Sequence, residues 1–321
     1  TDALGFGTVA MTLPTADGSA NQVLKTDGSG NLDWVAASGG SSAIDGLSDA
    51  KLEGTNFTGS MIIGHQTTGT LDAATYNTAV GITALDAITT GDYNVAVGYN
   101  ALTANTTGTG NTAIGYDALK VNTTGSYNSA YSMFSLRANT TGNNNIASGV
   151  SSLFANTTGS DNIAFGKNAL KANTTGSDNI ASGFQSLDAN TTGTSNIASG
   201  SGSLTNNTTG SYNIASGKSS LSANTTGSYN VASGHQSLIS NTTGGYNTAS
   251  GSEAMRSNTT GSYNVAFGRQ AGYDITTGTY NTIIGYDADV SASGSINQIV
   301  IGKGATGTTN NTVLLGNGSI T

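Results

Sequence analysis

The stretch NTTGSYNIASGKSSLSA, Asn207 to Ala223, is one copy of a 17-residue unit that returns through most of the chain. Two markers keep the same interval: the glycine that closes the N-x-A-x-G core, and the glycine of the preceding Thr-Thr-Gly. The core glycine recurs in steps of 17, or a multiple of 17, from Gly64 to Gly302, and Ser132 replaces it once. This constant interval predicts stacked coils rather than one globular core.

The composition of the unit predicts an all-β fold. Gly, Asn, Thr and Ser dominate it, while the helix formers Glu and Lys are scarce. Seventeen residues accommodate two short strands and two turns, which make one coil of a parallel β-solenoid or β-roll. Within the coil, NIASG is typical of a strand. Thr-Thr-Gly is typical of a turn in which glycine supplies a positive φ.

Two apolar columns are predicted to fill the coil. Alternation along the strand places its Ala on one face and the neighbouring residues on the other. The second column is a Leu four residues after the core glycine, replaced once by Met255. These leucines are Leu85, Leu102, Leu119, Leu136, Leu153, Leu170, Leu187, Leu204, Leu221 and Leu238.

The residue before the strand Ala is Ile or Val in many copies, for example Ile180, Ile197 and Val231, and it faces away from the Ala column. Each copy buries on the order of a few kcal/mol of apolar surface, while each ordered residue loses about 1–2 kcal/mol of backbone entropy. A single roll is therefore expected to need further burial, which the same surface of an identical chain can supply. The alternative is a monomeric solenoid with an exposed Ile stripe.

Asparagine recurs at the start of each predicted strand. In-register amides form ladders that connect successive coils, and an ion held by Asn oxygens on an oligomer axis is the alternative. The predicted ladder contains Asn94, Asn111, Asn145, Asn162, Asn179, Asn196, Asn213, Asn230, Asn247 and Asn264. Ten further asparagines, from Asn105 to Asn258, stand in Asn-Thr-Thr, which predicts a turn and is formally a glycosylation sequon.

Tyrosine precedes the repeating Asn in eight copies, and Asp161 and Asp178 replace it in two others. An exposed aromatic column could stack on sugar rings of a cell surface, and repetition would multiply weak contacts. Packing of these rings between chains is the alternative. The candidate glycan contacts are Tyr76, Tyr93, Tyr127, Tyr212, Tyr229, Tyr246, Tyr263 and Tyr280.

No catalytic constellation is recognisable, and no enzyme activity is expected. His65 and His235 stand ten periods apart and cannot cooperate. The chain lacks Cys and the GxSxG, HExxH, P-loop and GGxGxD motifs, so we predict no cofactor and no metal site. The net charge of −8 argues against a nucleic-acid partner. Without an apolar run of 18 residues, no membrane insertion is expected.

One copy departs from the others. In NSAYSMFSL, Asn128 to Leu136, Ser132 replaces the core glycine, and Tyr131, Met133 and Phe134 occupy positions that are small or polar in most copies. A local bulge or a packing patch is expected here rather than a ligand site.

Residues 1–57 do not share the period and are predicted to form an N-terminal module with a linker, before the repeat region at 58–321. Within LPTADGSANQVLKTDGSGNLDWV, Leu13 to Val35, QVLKT and LDWV are predicted as the strands of a hairpin and DGSG as its turn. ASGGSS, Ala37 to Ser42, is predicted as a flexible joint. The last step of the repeat, Gly302 to Gly316, is 14 residues.

These motifs carry two resemblances. NVAVGYNAL (Asn94 to Leu102), NTAIGYDAL (Asn111 to Leu119) and NQIVIGKGA (Asn297 to Ala305) resemble the SVAIGxxA repeat of trimeric autotransporter adhesin heads. That resemblance implies a left-handed parallel β-roll in a homotrimer. The segment Leu13 to Val35 is similar to a module of bacteriophage tail-fibre proteins.

Together the resemblances imply a structural and adhesive segment of a trimeric phage tail fibre, located in the virion tail and hence extracellular. The implied partners are further copies of the chain, other virion tail proteins and a host cell-surface glycan or protein. The head of a bacterial cell-surface adhesin, or another extracellular filament, is the alternative. The Thr-Thr pairs in register suggest a third interpretation, an ice-binding solenoid.

Overall fold

The computed structural model of the chain describes residues 73–317 continuously and six strands before them. These are β1 (Ala3–Phe6), β2 (Val9–Thr12), β3 (Gln22–Thr26), β4 (Leu32–Ala36), β5 (Ala50–Leu52) and β6 (Met61–Ile63). None of the described residues is helical, in agreement with the all-β prediction. The chain divides into two compact units, Thr1–Leu52 and Glu53–Thr321. The predicted boundary between residues 57 and 58 lies outside the described residues and stays a prediction.

The first unit contains two antiparallel strand pairs. β1 pairs with β2, and β3 pairs with β4 over five residue pairs that include Leu24↔Trp34. β3 and β4 cover the segments QVLKT and LDWV that the sequence predicts as strands. The DGSG turn and the ASGGSS joint lie outside the described residues, so the hairpin as a whole stays a prediction.

The second unit is a parallel β-solenoid of about 14 turns. After β6, its strands are β7 (Thr78–Val80), β8 (Val95–Val97), β9 (Thr112–Ile114), β10 (Ser129–Tyr131), β11 (Ile146–Ser148), β12 (Ile163–Phe165), β13 (Ile180–Ser182), β14 (Ile197–Ser199), β15 (Ile214–Ser216), β16 (Val231–Ser233), β17 (Thr248–Ser250), β18 (Val265–Phe267), β19 (Thr282–Ile284), β20 (Gln298–Ile301) and β21 (Thr312–Leu315). Each strand lies beside the equivalent strand of the next coil, as in Ala198↔Ala215. The predicted solenoid is confirmed.

The prediction of two strands per coil is wrong, because each coil contains one. After the core glycine, the chain places alternate residues in the left-handed conformation, for example Ser219 (φ 57°) and Leu221 (φ 51°). An extended strand cannot contain such residues. Hydrogen bonds between coils nevertheless continue, since the Leu221 N–H donates to the Ser237 carbonyl at 3.0 Å.

The Ala and Leu columns form the core, as predicted. The strand alanines from Ala79 to Ala266, and all the leucines of the second column, are completely buried. The left-handed conformation of a residue such as Leu221 costs roughly 1–2 kcal/mol. Burial of a Leu side chain stabilises the fold by about 1.5–3 kcal/mol. This stabilisation offsets the cost of the left-handed backbone.

Two glycines in each coil are required for different reasons. Gly217 has a φ of 137°, and a Cβ at this position would lie 2.6 Å from the carbonyl oxygen of Gly234 in the next coil. The Thr-Thr-Gly glycine does not have the predicted positive φ. A Cβ on Gly227 would instead collide with the carbonyl oxygen of Gly244 and with the side-chain oxygen of Asn224. Close contact between coils therefore excludes a side chain there.

The deviant copy continues the sheet without a bulge. β10 pairs residue for residue with both neighbours, through Ala130↔Ala113 and Ala130↔Ala147. Phe134 packs edge-on against Tyr116, with ring centroids 5.5 Å apart, and against Phe154 at 6.3 Å. Of the two expected features, this is the packing patch.

Ser132 keeps the backbone conformation of the glycine that it replaces, with a φ of 128°. A non-glycine residue in such a region carries about 1–3 kcal/mol of strain. We expect Ser132→Gly to raise the free energy of unfolding by about 1 kcal/mol, because glycine relieves the strain but adds entropy to the unfolded chain. Urea unfolding measures this change.

Gly149→Ala provides the converse variant, one coil further along. Its φ is 144°, and a Cβ would lie 2.5 Å from the backbone of Gly166, so stability should fall. A loss of stability in Ser132→Gly would contradict the account.

Candidate functional site

The asparagines that begin the strands form a continuous stack from Asn77 to Asn281, including all ten predicted ladder residues. At Asn213, the backbone N–H and the Nδ2 both donate to Asn196 Oδ1, at 3.0 and 3.2 Å. The same Nδ2 also donates to the Gly227 carbonyl at 2.9 Å. Each Oδ1 from Asn77 to Asn264 thus accepts two hydrogen bonds, and that of Asn281 accepts one, from the Gln298 backbone N–H. Two accepted hydrogen bonds fill the acceptor capacity of an amide oxygen and leave it no lone pair for an ion.

A second ladder, absent from the sequence-based predictions, is formed by the Asn of each Asn-Thr-Thr. Asn207 Nδ2 donates to Asn190 Oδ1 at 2.8 Å and to the Gly210 carbonyl at 2.9 Å. All ten of these asparagines, from Asn105 to Asn258, are completely buried. Because all ten side chains are buried, and both amide hydrogens of every one except Asn105 are donated inside the protein, the folded solenoid leaves these sequons no free amide for a glycan.

Isoleucine occupies the equivalent position at both ends of this second ladder. Ile88 precedes Asn105 and Ile275 follows Asn258, and both side chains are buried. Asn258 Oδ1 consequently has no hydrogen-bond partner. The recurrence of Asn in register was the signal for this ladder, as for the first one.

Removal of one amide from the second ladder should destabilise the solenoid strongly. Asn190→Ala deprives Asn173 Oδ1 of its donor and one Asn207 N–H of its acceptor. Each orphaned buried group costs about 1–3 kcal/mol, so we expect the free energy of unfolding in urea to fall by roughly 2–6 kcal/mol.

Thr192→Ala is the matched control, because Thr192 is exposed in the same coil and its truncation should change stability by less than about 0.5 kcal/mol. Equal effects of the two substitutions would contradict the ladder's role.

The candidate tyrosines lie in one exposed column, but most of them stack on each other. From Tyr212 to Tyr280, neighbouring rings are 4.8–4.9 Å apart and within 8° of parallel. Tyr76 and Tyr93 form a separate pair at 5.1 Å. Tyr127 is 64% exposed, and its ring lies against Gly110. Each inner ring of the long stack has both faces covered, so its edge and hydroxyl face the solvent and no face is open to a sugar.

Tyr246→Ala should lower the free energy of unfolding by about 1–2 kcal/mol, because it removes two stacked contacts that contribute about 0.5–1.5 kcal/mol each. Tyr127→Ala removes a ring that has no stacked partner, so it should lower the free energy of unfolding by less. Differential scanning calorimetry compares the two variants, and equal decreases in their melting temperatures would contradict a stabilising stack.

An uncharged strip of apolar residues, Ser and Thr runs along the outside of the sheet. This outer strip consists of the residues before and after each strand Ala, from Thr78 to Ile301. Its centre is a column of isoleucines, with Ile197 and Ile214 exposed by 40% and 41%. Towards the ends of the strip, the exposed apolar residue is the one after the strand Ala rather than the one before it, as with Ile114 and Phe267. This change of position keeps apolar groups along most of the strip's length.

Within residues 73–317, positive charge is confined to another surface, which we call the basic face. It comprises the first, second and fifth residues after each core glycine. Every Lys and Arg of residues 73–317 occupies one of these positions, namely Lys120, Arg137, Lys167, Lys171, Lys218, Arg256, Arg269 and Lys303. The side chains of the three positions contact each other, as Phe134 does with Tyr116 and Phe154.

Asp117 is the buried charge of the basic face. Lys120 Nζ and Arg137 Nε each lie 3.2 Å from its Oδ2, and Asn100 Nδ2 donates to its Oδ1 at 2.8 Å. Burial opposes its ionisation, but the hydrogen bonds from Asn100, Arg137 and Lys120 outweigh burial and hold its pKa below the usual value. Asp188 has no comparable set of donors, and burial raises its pKa despite the charge of Lys171.

The described residues contain no cluster of His, Asp and Glu that could hold a metal ion. His235 is exposed, and His65 lies outside the described residues. In residues 73–317 and the six earlier strands, no helix is long and apolar enough to cross a membrane. The first Thr of each Thr-Thr donates to the next coil, as Thr208 Oγ1 does to the Thr225 carbonyl at 3.0 Å, and the second lies in a bend. The threonines therefore do not form a flat strand surface.

No protein-family model matches the chain, and no curated protein is significantly similar to it.

Proposed function

We propose that the chain is a structural and adhesive segment of a homotrimeric fibre, and specifically of a phage tail fibre that presents host-receptor binding. The observation that carries this proposal is the outer strip. Ile180, Ile197 and Ile214 are 38–41% exposed in consecutive coils of a single chain, and the strip contains no charge that would oppose its burial.

A contiguous apolar surface of this kind marks an interaction site. An identical chain presents the same strip with the same spacing between coils, so chains arranged side by side about an axis bury it along its whole length. The threefold order and the phage assignment come from the resemblance of Asn94 to Leu102 and of Leu13 to Val35 to trimeric adhesin heads and tail-fibre modules. The partners in this proposal are two further copies, other virion tail proteins and a host glycan or protein.

The double substitution Ile197→Lys and Ile214→Lys tests the interface. Two lysines in the strip would require buried, unpaired charge in every protomer, which is costly. We expect the wild-type chain to sediment as a trimer and the variant to dissociate to monomers with an unchanged circular dichroism spectrum.

Thr192→Lys with Thr209→Lys is the matched control, because both residues are exposed and lie outside the strip. This control should remain trimeric. A wild-type chain that sediments as a monomer at micromolar concentration would contradict the proposal.

A further inference from the structure

Charge is segregated between the basic face and the rest of the solenoid. Within residues 73–317, the basic face carries eight cationic and five acidic residues, a net charge of +3, while the other positions carry five acidic residues and no Lys or Arg. The chain as a whole is acidic, at −8. An anionic partner would therefore be attracted to this surface and repelled elsewhere.

Three cations on this face are equally spaced. Lys167, Lys218 and Arg269 each follow a core glycine directly, at intervals of 51 residues, which is three coils. With a strand spacing of about 4.8 Å, neighbouring cations of this row are about 14 Å apart along the sheet. All three are exposed. The salt bridges present within residues 73–317 join Lys120 and Arg137 to Asp117, so the row is free to pair with an external anion.

The aromatic rings of this face, apart from the exposed Phe184, are in contact with a cation or another ring. The Arg269 guanidinium lies 5.5 Å from the centroid of Tyr286 and donates to its hydroxyl at 3.0 Å. Arg256 lies in the same way over Tyr273, at 5.6 Å. Single-stranded nucleic acids bind through successive bases stacked on aromatic faces, and one open ring, Phe184, does not provide such a series. The contacts hold the guanidinium groups in place instead, ready to bind an anion.

We propose that the basic face binds a linear anionic polysaccharide along the rod, with its acidic groups paired to the row Lys167, Lys218 and Arg269. This inference rests on the proposed adhesive function and specifies the class of host glycan. It also places the contact on the basic face rather than on the tyrosine column, where ring faces cover one another. Weak ionic contacts repeated along one polymer add up to useful avidity, and their strength should fall as salt screens them.

Titration calorimetry of the full chain with polygalacturonate, at low ionic strength and in about 0.15 M salt, tests the proposal. The variant Lys167→Gln, Lys218→Gln, Arg269→Gln should bind about tenfold more weakly or worse, because it loses three ionic contacts. Added salt should weaken the wild type much more than this variant. Fully methyl-esterified polygalacturonate, which keeps the backbone and loses the charge, should not bind.

The control variant Thr158→Glu, Thr209→Glu, Thr260→Glu changes the net charge by the same amount, also at 51-residue intervals, at exposed positions outside the basic face. It should bind polygalacturonate within about twofold of the wild type. Equal binding by the Gln variant, equal binding of the methyl ester, or tighter binding of an oligo(dT) strand would each overturn the proposal.

Sedimentation of the same samples separates the two proposals. If the chain is a trimer but does not bind polygalacturonate, the proposed ligand is wrong and the proposed fibre function is unaffected. A monomer refutes the fibre function independently of any binding.

Discussion

The amide hydrogen bonds between asparagines of successive coils fix the length of the repeat. Asn213 donates to Asn196 from its backbone and its side chain, and Asn207 donates to Asn190 in the parallel ladder. An inserted or deleted residue between two such positions would move a buried amide away from its partner. Because an orphaned buried polar group is costly, both ladders tolerate one spacing, and the rest of the coil conforms to it.

This constraint separates the coil into an invariant interior and a variable exterior. Inside, the ladders bring coils so close that Gly227 cannot carry a side chain, and Ala and Leu fill the remaining space. Outside, the positions around the core glycine vary freely between Lys, Tyr, Ser and Phe without affecting the amide network. The solenoid is thus a scaffold on which the residues of the outer strip and of the basic face can vary independently of each other.

The sequence predicted the structure correctly where a residue pattern is compatible with a single local structure. The constant interval, the small strand residue and the Leu column predicted the solenoid and its core. The backbone of Leu221 could not be predicted, because leucine is a poor residue for positive φ and adopts it here through burial of its side chain. The second ladder was missed because Asn-Thr-Thr-Gly is also a strong turn signal, although its Asn recurs in register just as Asn213 does.

The contacts and exposure of surface residues were harder to predict from the sequence than those of the core. The tyrosine column was recognisable, but only its geometry shows that rings such as Tyr246 cover each other's faces. The basic face was accessible from sequence by noting where Lys167 and Lys218 stand relative to the core glycine. Oligomeric state depends on what covers the outer strip, and no pattern within one chain fixes the number of copies.

Hydrogen exchange of the asparagine side-chain amides, followed by NMR, tests the central claim most directly. The two ladders contain 23 buried asparagines, 13 from Asn77 to Asn281 and ten from Asn105 to Asn258. The account predicts that their carboxamide protons exchange far more slowly than those of the exposed Asn143 and Asn206. Exchange of the ladder amides at the rate of these exposed residues would show that the amides do not hold the coils together.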